Sequence, residues 1–248
     1  MEYPRWAPLY EQIRQEFGFS WDREEAAAAR LRELLPPAAL ERPLERLAHR
    51  LEGKEVVVVG LAPRAGPPPL WRRPFTSAGV AVVAADGAAS ACLEAGLVPD
   101  VIVTDLDGPV ASEVTANRRG ALVVVHAHGD NRELLDEWVP QLPGELAGTW
   151  AGPPGGGLMD AGGFTDGDRS AFLAEAAGAV RILLWGFDLE HAEEGDPAAR
   201  LRKEAKLRWA GRVLGELARS GRAPVETWNP DGTLSPYKAG GISGASTK

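Results

Sequence analysis

Short runs of aliphatic residues, Val56–Val59, Val80–Ala85, Val101–Thr104, Leu122–Val125 and Val180–Trp185, punctuate the chain from residue 55 onward. They are apolar at nearly every position rather than at every second one, so each must bury both of its faces. Helical stretches separate them. Strands of this kind alternating with helices predict an α/β fold, a mainly parallel sheet with helices on both faces. Ligands bind such sheets beyond the carboxyl ends of the strands. A polar cluster directly after an apolar run is therefore a candidate site.

Ahead of the first run the periodicity is helical. Leu9, Ile13 and Phe17 repeat at i, i+4 and i+8, with Trp6 and Tyr10 widening the stripe and Gly18 ending it. Asp22 with Glu25 predicts a capping box for a second helix that runs toward Leu35 and stops at Pro36-Pro37. Leu40, Leu44, Leu47 and Leu51 form a third stripe. The stretch Gly148–Gly163, rich in glycine and proline, reads as a loop, and Pro197–Arg219 as a helix. The expected organisation is a helical region over 1–53, a catalytic α/β domain over 54–220, and a tail over 221–248 packing on or near the active site. Cys92 falls in a helical stretch, Ala88 to Gly96, and reads as core.

Charge and cysteine content narrow the classes. A formal charge of −8 argues against general nucleic-acid binding, which rests on cations facing phosphates. The single cysteine excludes an internal disulfide framework and suits a reducing cytoplasm. The first residues lack the pattern of a secretory leader, and the apolar runs are too short to cross a bilayer. The expected location is cytoplasmic, with no membrane partner.

Polar clusters follow the predicted strands: Asp86-Gly87-Ala88, Asp105-Leu106-Asp107-Gly108, His126-Ala127-His128-Gly129-Asp130-Asn131 and Gly186-Phe187-Asp188. Another, Gly162-Gly163-Phe164-Thr165-Asp166-Gly167-Asp168-Arg169, follows the glycine-rich stretch. Asp105 and Asp107 stand two apart, so an extended backbone points both to one side. Neighbouring carboxylates repel and raise each other's pKa unless a cation separates them. Magnesium takes one or two carboxylates and completes its shell with water and phosphate oxygens. Glycines alongside let backbone N–H groups approach an anion. The pattern thus points to a magnesium–polyphosphate site. A single acid after a strand, as at Asp188, serves equally well as a helix cap. His126 and His128 with Asp130 have the spacing of a zinc site, but no cysteine or third histidine accompanies them. Trp150 and Trp185 lie near the expected rim, where an indole could stack on a heterocycle.

The order of these blocks resembles the thiamine-pyrophosphokinase-like enzymes: a strand-end Asp86-Gly87, the segment Pro99–Thr104, the acidic pair Asp105 and Asp107, and a later Thr165-Asp166. Thr104–Gly108, His126–Asn131 and Gly163–Arg169 are more similar still to the archaeal-type 6-hydroxymethyl-7,8-dihydropterin pyrophosphokinases, which share that fold. The resemblance covers about Val56 to Asp188 and extends loosely to the helix with Lys203 and Lys206. Two features depart from the family pattern: the long, proline-rich turn Leu61–Pro69, and Asp160 where the family tends to carry Asn. The resemblance implies magnesium-dependent transfer of pyrophosphate from ATP to the hydroxymethyl group of a reduced pterin, releasing AMP. It implies metal ligation by Asp105, Asp107 and Asp166, with Asp130 and Asp168 as further ligands, direct or through water. Asp86, Gly87, Gly163 and Thr165 would bound the substrate pocket, and Arg169, Lys203 and Lys206 would neutralise phosphate. Asp130, His126 or His128 would touch the acceptor or take its proton. The implied partners are ATP, a pterin and a second copy of the chain in a homodimer. Alternatives are thiamine pyrophosphokinase itself, a sugar-nucleotide module of this fold, and a non-catalytic nucleotide-binding regulator.

Overall fold

The computed structural model describes residues 3–61, 79–192, 196–229 and 231–238. In chain order the helices are α1 (Tyr3–Phe17), α2 (Trp21–Leu34), α3 (Pro37–Leu40), α4 (Pro43–Leu51), α5 (Ala88–Glu94), α6 (Val110–Arg118), α7 (Arg132–Trp138), α8 (Asp166–Ala176) and α9 (Pro197–Ser220). The strands are β1 (Glu55–Val59), β2 (Val80–Ala85), β3 (Val101–Thr104), β4 (Leu122–Ala127), β5 (Leu146–Trp150), β6 (Leu158–Met159), β7 (Arg181–Trp185), β8 (Val225–Trp228) and β9 (Leu234–Pro236). The described strands make one sheet in the order β6-β5-β4-β3-β2-β1-β7-β8-β9. Every pairing is parallel except that of β8 with β9.

The continuous apolar runs have the predicted consequence. Val56, Val58, Val101, Val103, Leu122 and Val124 point into one core layer with Ile13 of α1, Leu47 of α4, Phe172 of α8 and Val213 of α9. Val57, Val59, Ile102, Val123 and Val125 point into the other, against Leu31 of α2, Cys92 of α5, Ala116 of α6 and Leu135 of α7. Full burial of one such side chain contributes about 1.5–3 kcal/mol. The N-terminal helices are thus part of both layers.

The structure corrects several local expectations. Leu146–Trp150 and Leu158–Met159 are strands, so Gly148 to Gly163 is not one loop. Gly148 is a strand glycine because a Cβ there would stand 2.4 Å from Leu158 Cδ2 and 2.8 Å from Leu35 Cδ1. Its absence lets β6 and α2 press onto β5. Helix α2 begins at Trp21, one residue before the expected cap, with an extended Ser20 ahead of it and no side-chain cap. Trp21 is drawn into the first turn by its edge-on contact with Tyr10, 5.7 Å between ring centroids. Asp22 and Glu24 then place acid in that turn, where the helix dipole favours it. Leu44 is 43% exposed and leaves the third stripe to Leu47 and Leu51. Residues 225–228 and 234–236, in the expected tail, add two strands beyond β7. The proline-rich turn after Leu61 and the Gly/Ser-rich end after Lys238 lie outside the described residues. No described helix is long and apolar enough to cross a membrane.

Candidate active site

The carboxyl ends of β2, β3 and β4 bring the predicted clusters onto one rim. Asp86 leaves β2 with φ of 46° and Leu106 follows β3 with φ of 68°. Left-handed backbone is costly at non-glycine residues and persists where the surroundings enforce it. Around Asp86 the enforcement is visible. Its N–H donates to the Val103 carbonyl at 2.8 Å, and the Thr104 hydroxyl donates to its carboxylate at 3.3 Å. The same hydroxyl accepts from the Leu106 N–H at 2.9 Å. A Cβ on Gly108 would lie 2.4 Å from Asp86 Oδ1, so glycine is required for this approach.

These turns gather Asp86, Asp105 and Asp107, which offer one oxygen each within 4.8 Å of one another. Burial and then the charge of Asp105 push the Asp107 carboxyl up to about 6. Burial works to raise Asp105 as well, but the hydrogen bond from His128 outweighs it and holds that carboxyl down at about 2. His128 Nε2 stands 3.3 Å from Asp105 Oδ2. His128 Nδ1 accepts from the Asp130 N–H at 3.2 Å, which directs the Nε2 proton toward Asp105. A carboxylate group this tight, paying mutual repulsion, fits a hard divalent cation.

Asp166 begins α8 beside this group rather than inside it. Its carboxylate pairs with Arg169 at 2.9 Å. Burial, then the charge of Asp105, raise it well above the usual carboxylate range. Thr165 and Asp168 are committed to the helix start: Asp168 accepts from the Phe164 and Thr165 N–H groups at 2.8 and 2.6 Å and from the Thr165 hydroxyl. Asp168 is fully buried, so its carboxylate serves the cap. Gly163, at φ of 97°, would place a Cβ 2.3 Å from Arg169 Cα, and only glycine lets the loop fold back onto α8. Gly87 ends β2 against Leu61 and Pro109. Asp130 is half-exposed and pairs with Arg23 at 2.8 Å. His126 is buried, and burial followed by the Arg169 charge keeps its ring neutral. On α9, Lys206 lies close enough for its charge to oppose the rise of Asp107, while Lys203 is exposed. Asp188 receives the Glu190 and His191 N–H groups in a turn.

The tryptophan expectation is corrected. Trp150 donates to the Pro153 carbonyl under Arg32, and Trp185 packs edge-on against Trp228 at 5.1 Å, so both are core.

Residues with no assigned role in the sequence reading complete the site. Asn131 donates at 2.8 Å to the carbonyls of Asp105 and His126 and accepts from the His128 N–H at 3.0 Å. It ties the β3 and β4 turns together. Its place in the His126–Asn131 block was the available signal. Glu113 of α6 is fully buried behind Asp86 with neither oxygen hydrogen-bonded, and burial plus the Asp86 charge push it up to about 8. Nothing in a helical Ser-Glu-Val marks it. Glu24, from α2, is buried against the His128–Gly129 turn.

Residues 37–194 match the family described as 6-hydroxymethylpterin diphosphokinase MptE-like. A relative named 6-hydroxymethyl-7,8-dihydropterin pyrophosphokinase from Methanothermobacter thermautotrophicus is 37% identical over 241 residues, covering 92% of this chain and all of the relative. One of the same name from Pyrococcus furiosus is 38% identical over 236 residues, covering 91% of this chain and 98% of its own. A third, from Methanocaldococcus jannaschii, is 35% identical over 195 residues, covering 76% and 80%. The chain belongs to the MptE-like 6-hydroxymethylpterin diphosphokinase family.

Proposed function

We propose that this protein is a 6-hydroxymethyl-7,8-dihydropterin pyrophosphokinase that uses ATP and magnesium. The observation that carries the reading is the Asp86–Asp105–Asp107 group on the rim, in a chain whose relatives bear that enzyme's name over nearly their whole length. In the reaction the acceptor hydroxyl oxygen bonds to the β-phosphorus of ATP. The bond from that phosphorus to the oxygen bridging it to the α-phosphorus breaks, AMP leaves with that oxygen, and the hydroxyl proton passes to a base.

Asp86, Asp105 and Asp107 would hold magnesium, which when bound supplies charge neutralisation for the phosphates. The remaining work is positioning and electrostatics, as phosphoryl-type transfer requires. His128 fixes Asp105, Asn131 fixes the turns, and Arg169 orients Asp166. Lys206 brings positive charge toward the phosphates from α9, and Lys203 adds to it from the same helix. With His128 Nδ1 engaged by the Asp130 N–H, the hydroxyl proton passes to the Asp130 carboxylate, whose basicity the Arg23 pair moderates, or to a histidine ring nitrogen. The described residues after Asp188 form α9 and two strands of the same sheet, which favours this reading over thiamine pyrophosphokinase with its added β-rich domain.

The test is AMP release by purified protein with ATP, magnesium and 6-hydroxymethyl-7,8-dihydropterin, beside thiamine as acceptor. AMP and a pterin diphosphate formed only with the pterin and magnesium are expected. Transfer to thiamine alone, or none to either, would remove the reading.

A further inference from the structure

Buried polar atoms without hydrogen bonds cost free energy, and a cluster of them calls for a polar partner such as a ligand group. Several gather around Arg169. Glu24 of α2 is 2% exposed, and its Oε2 has no partner among the described residues. His126, at the end of β4, is 4% exposed with Nδ1 unpartnered. Asp160 directly follows β6; its Oδ1 accepts from the Gly162 N–H at 2.8 Å while Oδ2 has no partner. The Arg169 charge acts on all three side chains. Trp6 of α1, fully buried against Tyr10 at 5.7 Å between centroids, leaves its indole N–H unpartnered as well. Burial raises both carboxyls, Asp160 to about 7, a cost that N–H donors from a ligand would relieve.

Access from outside runs through Glu24. Glu24 also lines an open cleft of about 180 Å³ with Phe17, Phe19, Arg23, Gly129, Asp130 and Arg202, and the Arg202 guanidinium lies over the Phe17 ring at 5.4 Å. Phe17 and Phe19 stack on each other at 5.6 Å, and Phe164 closes on Phe17 at 5.4 Å. The cleft's size is below the roughly 300–1,000 Å³ of sites that enclose drug-sized ligands, and it suits one bicyclic ring rather than a nucleotide. His128, next to Gly129, touches Asp105, so a ring seated here would hold its substituent toward the carboxylate group.

Resting on the proposed activity, we propose that this region of α1, α2, β4 and the turn after β6 is the acceptor site. The Glu24 and Asp160 carboxylates accept hydrogen bonds from the amino and ring N–H groups of the pterin's aminopyrimidinone edge, and the Trp6 indole N–H faces its carbonyl. That edge offers two adjacent donors beside one acceptor, the complement of these side chains. Adenine offers a donor next to a ring nitrogen lone pair, which a carboxylate would repel. The N-terminal helices thereby set acceptor specificity, while the strand ends serve the phosphates.

The experiment is calorimetric titration of the full chain with 6-hydroxymethylpterin in the presence of magnesium and α,β-methylene-ATP, with the nucleotide analogue titrated separately. Losing a hydrogen bond to a charged group corresponds to about 10- to 100-fold in affinity. Glu24→Gln and Asp160→Asn are each expected to weaken the pterin by that factor and leave the nucleotide analogue unchanged. A ligand-side comparison needs no variant: 6-hydroxymethyllumazine, with a carbonyl in place of the 2-amino group, is expected to bind the unaltered protein comparably more weakly. Equal pterin affinity in both variants, equal affinity for the lumazine, or loss of nucleotide instead of pterin would overturn the assignment. Failure of the unaltered protein to bind the pterin would overturn the proposed activity and this inference together.

Discussion

Asp107 carries the repulsion of the group, because Asp105, the better-paired member, keeps its charge through the His128 hydrogen bond. Replacing Asp107 with alanine removes one ligand and one repulsive partner without opening the core. Asp107→Ala is expected to abolish AMP release while unfolding stays cooperative by fluorescence. Magnesium at about 100 times its dissociation constant stabilises a folded protein by about 2.7 kcal/mol. A corresponding rise in the melting temperature of the unaltered chain, absent in Asp107→Ala, would tie the effect to this site. Asp160 makes a second prediction. Its folded pKa, near 7, lies above the unfolded value near 3.9, so between those limits the folded state binds more protons. Stability then falls as pH rises through that window and is level above it. The urea midpoint should drop between pH 5 and pH 8, and Asp160→Asn should flatten its share of the drop.

Helix α8 shows why a motif can be read correctly in place and incompletely in role. Thr165 and Asp168 belong to the signature block, but the structure commits both to the helix start. This aims the Asp166–Arg169 pair at the rim. Loss of a cap residue costs about 0.5–2 kcal/mol, and here buried N–H groups would also lose their partner. Asp168→Ala is expected to cost about 2 kcal/mol or more in urea unfolding and to lower turnover through Asp166. A cost below about 0.5 kcal/mol would show that the cap does not carry the helix start. Strands β5 and β6 show the opposite case. Gly148 of β5 and Gly157 just before β6 resemble loop punctuation, and only the closeness of Leu158, Leu35 and Leu40 explains them as packing positions.

Across the whole molecule, α1 to α4 pack into the same two core layers as the sheet. Ile13, Leu47 and Leu51 lie in the same layer as Phe172 and Val213, and Leu31 in the opposite layer with Val125 and Leu135. Ile13→Ala should therefore destabilise the entire chain by about 2–5 kcal/mol in one cooperative transition. A separate early transition would mean that the helices fold independently.

The α/β architecture and the rim acids were legible in the chain because both are local. Continuous apolar runs demand two covered faces, and acids directly after such runs land at carboxyl ends whatever the strand order. Asp105 and Asp107 share a side through backbone alternation alone. The third member of their group, Asp86, and the clamps Asn131 and Glu113 follow from which strands neighbour which, and linear spacing does not encode that. The same holds for Glu24, a charged residue in the first turn of a helix and outwardly a solvent-facing one. Packing of α2 against the β4 turn buries it beside His128. Tertiary structure decided its surroundings, because burial and pairing depend on residues more than a hundred positions away.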